Sequence, residues 1–179
     1  MKTFQASSPN VEVNGETIYS IVDGMGVFKT TALKILNDNG IPNPQPGHWY
    51  KEQSWLNAFK DISEKVGDST LYNIGQKIPE NAIFPPEIND IHKALSAIDV
   101  AYHMNHRNGE IGEYKYEKTG DRSAKITCTN PYPDEFDKGI IFQMGKKFAP
   151  SGTVVSVTYD TNKSSRSKGY DSTVYLVAW

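Results

Sequence analysis

The stretch Asn130-Pro-Tyr-Pro-Asp-Glu-Phe-Asp-Lys-Gly-Ile-Ile-Phe-Gln-Met-Gly-Lys-Lys-Phe148 organises the C-terminal half of this 179-residue chain. Its two prolines fix φ, so they predict a stiff, extended turn that opens a helix over 134–148. Acidic residues stand at the start of that helix and lysines at its end, as the helix dipole favours. Because strand-like sequence flanks the stretch on both sides, we expect the helix to cross a sheet.

The flanking segments predict an antiparallel sheet of about four strands. Alternating residues over 112–118 and 124–129 indicate a hairpin before the crossing helix. Two segments rich in Val, Tyr and Thr, 153–159 and 173–179, predict two further strands after it. The polar segment 160–171 between them predicts a long exposed loop.

The N-terminal half is predicted to be mainly helical. Alternation on either side of Asn14-Gly15, a dipeptide that favours tight turns, predicts a small hairpin. A helix over 27–39 and a proline-rich connector over 41–47 follow.

Three further helices then complete the predicted helical layer. Apolar spacing predicts helices over 49–66 and 68–78 and a longer one over 87–106. The sequence therefore predicts one α+β domain, 1–179, in which N-terminal helices pack on a twisted antiparallel sheet. Residues 1–50 would form the hairpin, the first helix and the connector, and 51–179 the core.

Composition narrows the range of partners. A formal charge of -2 and a pI near 6.1 lack the basic footprint of proteins that bind nucleic acid or anionic membranes. No stretch approaches the roughly 18 apolar residues of a membrane span. The single cysteine, Cys128, lies in a predicted strand, where we expect a buried and unreactive thiol. These features predict a cytoplasmic protein with no nucleic-acid partner and no membrane span.

Histidines on the predicted helix 87–106 form the one constellation that suggests metal chemistry. His92, Asp99, His103 and His106 fall within a band about 60° wide on that helix. His103 and His106, spaced i and i+3, could bind one metal ion, with Asp99 orienting His103. The alternative is an ordinary polar border between core and solvent.

The sequence offers no convincing catalytic residue. It has no Gly-x-Ser-x-Gly elbow, and paired acids such as Asp134 and Glu135 are better explained by helix capping and solvation. We therefore expect a binding protein and name no catalytic residue.

Aromatic side chains suggest an apolar ligand pocket, although core filling would use the same residues. Gly139 and Gly145 inside the crossing helix cost stability, so something must pack closely there, either another backbone or a ligand. The residues predicted to contact a ligand are Tyr72, Tyr102, His103, Phe136, Gly139, Phe142 and Met144.

Three short motifs carry a resemblance to a known superfamily: Leu71-Tyr-Asn-Ile-Gly75, Ile111-Gly-Glu-Tyr114, and Asn130-Pro-Tyr-Pro133 through Gly139. The chain resembles the ligand-binding domains that group vinyl-reductase-like domains, small TRAPP tethering-complex subunits and haem nitric-oxide-binding domains. The resemblance implies an apolar chamber between helices and sheet that holds haem, an acyl chain or a small hydrophobic molecule. The TRAPP branch implies a homodimer or an assembly role.

The chain departs from the haem branch in its propionate-binding signature. The Tyr-x-Ser-x-Arg pattern is absent, and the nearest string, Tyr170-Asp-Ser-Thr-Val174, lacks the arginine. Haem and metal ions are therefore not favoured as cofactors, although His92 or His103 could supply an axial ligand. The leading hypothesis is non-catalytic sensing of a small apolar or aromatic ligand. The alternatives are an assembly subunit, or a haem or metal protein that uses His92, His103 and His106.

Overall fold

The computed structural model describes residues 1–163 and 165–179. Ser164, which falls in the predicted loop 160–171, lies outside the described residues. The helices are α1 (Gly15–Gly24), α2 (Lys29–Asp38), α3 (Glu52–Val66), α4 (Asp68–Asn81), α5 (Ile91–Met104) and α6 (Asp134–Lys147). Short 3-10 turns cover Gly26–Phe28 and Arg166–Lys168.

Two antiparallel sheets accompany these helices. The first is small, with the order β2-β1-β3, and is built from β1 (Glu12–Asn14), β2 (Trp49–Lys51) and β3 (His106–Arg107). The second has the order β4-β5-β7-β6 and is built from β4 (Tyr114–Gly120), β5 (Ser123–Cys128), β6 (Ser156–Tyr159) and β7 (Thr173–Ala178). The predicted α+β class, with helices on a four-stranded antiparallel sheet, is confirmed.

Helix α6 begins and ends where the sequence predicts. Asp134, Glu135 and Asp137 occupy its first turn, Lys146 and Lys147 its last, and Phe148 caps its C-terminus. Residues from α6, such as Phe136 and Ile141, are buried in one core cluster with residues of α3, such as Phe59, and of the large sheet, such as Tyr175. The helix therefore links the N-terminal helices to the C-terminal sheet.

Two glycines allow α4 and α6 to cross at backbone contact. A Cβ on Gly139 would overlap the carbonyl oxygen of Tyr72, and one on Gly75 would overlap the carbonyl oxygen of Phe136. The close partner predicted for Gly139 is therefore the backbone of α4, and this crossing leaves no room for a ligand. Gly145 instead faces the side chain of Val155.

The predicted N-terminal hairpin is wrong. Asn14 caps a helix, because its side-chain oxygen accepts a hydrogen bond from the backbone nitrogen of Glu16, and α1 begins at once. Asparagine favours both tight turns and helix N-caps, so the dipeptide Asn14-Gly15 fits either structure. Strand β1 pairs with β2 and β3 instead.

Helix α5 is shorter than predicted at both ends. Asp90 caps it by accepting a hydrogen bond from the backbone nitrogen of Lys93, so the prolines before it form a turn outside the helix. At the other end His106 leaves the helix and pairs with Val13 as part of β3. His106 is thereby separated from the helical face on which His103 stands.

Candidate functional site

A cavity of about 90 Å³ lies between α4, α5 and α6. Most of its lining is apolar, and its polar side chains include His106 and Tyr132, which lie together with Tyr102 at one end. The lining residues are Thr17, Ile78, Pro79, Ala82, Phe84, Ile98, Ala101, Tyr102, Asn105, His106, Tyr114, Tyr132, Phe136, Ile140 and Met144.

The residues predicted to contact a ligand fall into two groups. Tyr102, Phe136 and Met144 line the cavity. Tyr72 and Phe142 pack on each other away from it, with ring centroids 5.9 Å apart. Gly139 lies at the helix crossing, and His103 is half exposed on the surface of α5. The cavity therefore unites three of the seven predicted residues.

His106 lies at the polar end of the cavity in a defined tautomer. Its Nδ1 donates a hydrogen bond to the carbonyl oxygen of Tyr102 at 2.8 Å, which leaves Nε2 to accept one from the Tyr132 hydroxyl at 2.7 Å. Burial lowers the pKa of His106 to about 4. The imidazole is therefore neutral near pH 7.

A carboxyl group lies behind this pair. Glu52, in the first turn of α3, is 0% exposed, and its Oε1 is 3.8 Å from Nε2 of His106. Neither carboxyl oxygen of Glu52 has a hydrogen-bond partner among the described residues, and the same is true of the Trp55 indole nitrogen. Burial raises the pKa of Glu52 to about 7, although the nearby Tyr132 hydroxyl acts to lower it.

We call these side chains the Glu52 cluster: Glu52, Trp55, Tyr102, His106 and Tyr132. Sequence reasoning placed Tyr102 in a ligand site and His106 in a metal site, but missed the other three. Glu52 is an acid at the start of a helix, a position that capping explains without any burial. The signal that could have found it is its place directly after the short strand Trp49–Lys51, which carries it into the core.

The predicted metal ligands do not come together. Within residues 1–163 and 165–179, no three His, Cys, Asp or Glu side chains are grouped so that they could hold a metal ion. His103 bonds the backbone oxygen of Asp99 on the surface of α5, whereas His106 is buried on the other side. His92 accepts from the Tyr116 hydroxyl and donates to the carbonyl oxygen of Asp121.

A second buried polar cluster lies at the N-terminus of α6, and sequence reasoning missed it. The predicted exposed loop brings Arg166, 3% exposed, under that helix. Its guanidinium contacts Asp134 at 3.0 Å and Asp137 at 2.5 Å. The Arg166 cluster consists of Asn130, Tyr114, Asp134, Asp137, Arg166, Thr173 and Tyr175.

The Arg166 cluster corrects two predictions. Asp134, expected to be a solvated helix-capping acid, is buried together with Asp137, because both neutralise Arg166. The segment expected to be an exposed loop contributes the buried Arg166. Burial raises the pKa of Asp137, and the charge of Arg166 acts to lower it. The signal in the sequence was the i, i+3 spacing of the two aspartates, which places both on one helix face.

An open cleft of about 670 Å³ lies over the Arg166 cluster, between α6 and the 160–168 segment. Its rim mixes acids such as Glu135 and Asp160 with bases such as Lys163 and Lys168. The buried charges beneath it are already paired with one another. The smaller cavity has mostly apolar walls and adjoins Glu52, whose carboxyl oxygens lack partners among the described residues, so it is the better candidate for a ligand site.

Cys128 is buried, as predicted, and burial raises the pKa of its thiol well above the usual value.

In the part of the chain that the structure describes, no helix is both long and apolar enough to cross a membrane.

Comparison with known proteins identifies the fold. No protein-family model and no curated protein matches the chain. A structure from a study of haem distortion in the H-NOX family matches with a TM-score of 0.69 and 13% identity, over 93% of this chain and 94% of that one. The oxygen complex of an oxygen-binding H-NOX domain related to soluble guanylate cyclases matches with a TM-score of 0.67 and 12% identity, over 92% of this chain and 94% of that one.

An H-NOX protein from S. oneidensis in the Fe(II)NO state gives a TM-score of 0.63 and 11% identity, over 92% of this chain and 97% of that one. These structures represent the haem nitric-oxide-binding branch of the resemblance noted in the sequence. At this level of identity the similarity concerns the backbone fold. The chain therefore has the fold of the H-NOX domains.

Proposed function

We propose that the chain binds a small, largely apolar molecule in the cavity between α4, α5 and α6, and acts as a sensor without turnover. The observation that carries this proposal is the cavity itself, apolar over most of its wall and polar at one end. Binding sites commonly combine apolar walls with a few convergent polar groups that orient the ligand.

The titratable groups of the lining favour orientation of a ligand over chemistry. Burial keeps His106 neutral near pH 7, and burial raises the pKa values of Tyr102 and Tyr132 well above the usual value. General acid and base catalysis works best with pKa values near the operating pH. These groups therefore hold fixed protonation states, as suits recognition.

A lysine closes the rim of the cavity. Nζ of Lys147, at the end of α6, donates to the carbonyl oxygens of Pro79 at 2.8 Å and Ala82 at 2.7 Å. It also lies 4.9 Å from the ring centroid of Phe84. Pro79, Ala82 and Phe84 all line the cavity, so a ligand that moves these residues apart would lengthen their contacts with Lys147. This gives a route by which occupancy could be transmitted to α6.

Haem does not fit this cavity. The H-NOX structures associate the fold with haem and oxygen in those proteins. The volume here, about 90 Å³, is well below the roughly 300–1,000 Å³ of pockets that hold drug-sized ligands. The nearest imidazole nitrogen, Nε2 of His106, is occupied by the Tyr132 hydroxyl. Haem is therefore not part of the proposed function.

The homodimer implied by the TRAPP resemblance stays a prediction. Light scattering of the purified chain measures its mass in solution, and a strict monomer would remove that alternative.

Furan, a small apolar ring, is a suitable probe of the proposed site. We expect saturable shifts in the methyl NMR signals of Ile98 and Ile140, which line the cavity. Ala101→Leu should abolish these shifts, because the larger side chain fills the cavity. Val100→Leu is the matched control, since Val100 is 62% exposed on the same helix. A native protein with no saturable response to furan or to pyrrole would overturn the proposed function.

A further inference from the structure

The hydrogen bonding of the Glu52 cluster is incomplete: among the described residues the Glu52 carboxyl oxygens have no partner, and neither has the Trp55 indole nitrogen. The Tyr132 hydroxyl donates its one proton to Nε2 of His106, and the Nδ1 proton of His106 is used by the Tyr102 carbonyl. Within residues 1–163 and 165–179, both oxygens of Glu52 remain without a donor, although the side chain is 0% exposed. A buried acceptor without a partner is costly, so such a group commonly indicates a missing partner.

The Tyr132 hydroxyl stands between two acceptors. It is 2.7 Å from Nε2 of His106, and it is close enough to Glu52 to act on the pKa of that carboxyl. One hydroxyl proton can serve only one of these acceptors at a time. If another donor reached His106, the Tyr132 hydroxyl could turn to Glu52, and both acceptors would be paired.

We propose that the ligand carries one O–H or N–H group on a small apolar body and binds by exchanging these hydrogen bonds. The ligand donates to Nε2 of His106, and the Tyr132 hydroxyl rotates to donate to the Glu52 carboxyl. No proton is transferred between groups in this exchange, and the cluster gains one hydrogen bond. This inference rests on the proposed function, because the ligand occupies the same cavity.

The cavity limits the size of this ligand. Its volume of about 90 Å³ is smaller than an engineered apolar cavity of roughly 150 Å³ that holds benzene. A five-membered ring or a short alcohol or amine suits that space. A bound water could also donate to His106, but it would make no apolar contact with the walls formed by Ile98, Ile140 and Met144.

Pyrrole and furan test the proposal, because they are rings of nearly equal shape and only pyrrole carries an N–H donor. Affinities for both come from titrations of the native protein followed by methyl NMR. We expect pyrrole to bind about tenfold more tightly than furan, the factor that one net hydrogen bond supplies. Equal affinities, or tighter binding of furan, would overturn the inference while leaving the proposed function intact.

Glu52→Met tests the exchange directly. Methionine occupies a similar volume without an acceptor, so the Tyr132 hydroxyl must remain on His106 and the preference for pyrrole should disappear. Furan should bind as before, which shows that the cavity is preserved. Glu64→Met is the control, since Glu64 is exposed on the same helix and should retain the preference. A preference for pyrrole that persists in Glu52→Met would show that Glu52 does not receive the hydroxyl and would overturn the proposal.

Discussion

The Arg166 cluster and the Glu52 cluster are both buried and polar, yet they differ in how completely their atoms are paired. Every nitrogen of the Arg166 guanidinium has a partner, among them Asn130, Asp134 and Asp137. In the Glu52 cluster, Glu52 and Trp55 carry buried polar atoms that have none among the described residues. A fully paired buried network makes a structure rigid, whereas a buried polar group without a partner calls for an explanation, such as a missing partner.

The positions of the two clusters agree with that distinction. The Arg166 cluster joins the N-terminus of α6 to β7 through Asp134, Thr173 and Tyr175. The Glu52 cluster adjoins the apolar cavity, and three of its members, Tyr102, His106 and Tyr132, line that cavity. We therefore propose a structural role for the Arg166 cluster and a recognition role for the Glu52 cluster.

The largest expected effect is the loss of Arg166. Arg166→Met leaves Asp134 and Asp137 buried without their cation, so we expect the free energy of unfolding to fall by about 3–5 kcal/mol. Urea denaturation measures the change. The matched control, Arg122→Met, removes an exposed arginine and should change stability little. A loss of stability below about 1 kcal/mol in Arg166→Met would contradict the structural role of the Arg166 cluster.

The second effect is a pH dependence that arises from Glu52. Its pKa rises from the usual 4.5 to about 7, so the folded protein holds this proton more tightly than the unfolded chain does. The contribution to stability is therefore complete below about pH 4.5 and lost as the pH rises through about 7. At about 1.4 kcal/mol per pH unit, the loss is about 3 kcal/mol.

Glu52→Gln removes this titration and leaves His106 in place. We expect the variant to gain stability relative to the native protein between pH 4 and pH 8, by about 3 kcal/mol. Because both proteins contain His106, whose depressed pKa has the opposite effect, its contribution cancels in the difference. Denaturation across that pH range measures the gain. A difference that stays constant with pH, as expected for the exposed control Glu64→Gln, would show that Glu52 is not held protonated.

The smallest effect compares one hydroxyl from each cluster. Tyr114→Phe removes a donor from Asp137, and bonds to charged groups contribute about 2 kcal/mol. Tyr132→Phe removes a donor from neutral His106, and we expect a loss of about 1 kcal/mol. Urea denaturation of both variants gives the order. A larger loss of stability in Tyr132→Phe than in Tyr114→Phe would indicate that the Glu52 cluster contributes more to stability than the Arg166 cluster.

Local patterns predicted much of the fold. Period-2 alternation located β4 and β5, and prolines followed by acids located the start of α6. The glycine in α6 correctly indicated a close neighbour, but the choice between backbone and ligand depended on α4, which also contributes a glycine. Asn14-Gly15 was misinterpreted because the same residues serve as turn and as helix cap.

The candidate site was less accessible from sequence, because its residues come from distant segments. Tyr102, Phe136 and Met144 were found from their residue types, which suit a pocket wall. Glu52 and Arg166 could not be found in this way, since charged residues are normally exposed and only the tertiary fold buries these two. Each of these residues meets a partner that is distant in the sequence. Glu52 lies near His106, 54 residues away, and Arg166 pairs with Asp137, 29 residues away.

A crystal structure of the protein with pyrrole bound tests the central claim most directly. We predict pyrrole in the cavity between α4, α5 and α6, with its nitrogen within hydrogen-bond distance of Nε2 of His106. The Tyr132 hydroxyl should then lie within hydrogen-bond distance of a carboxyl oxygen of Glu52. Pyrrole bound elsewhere, or a Tyr132 hydroxyl that still contacts His106 while Glu52 remains unpaired, would contradict the account.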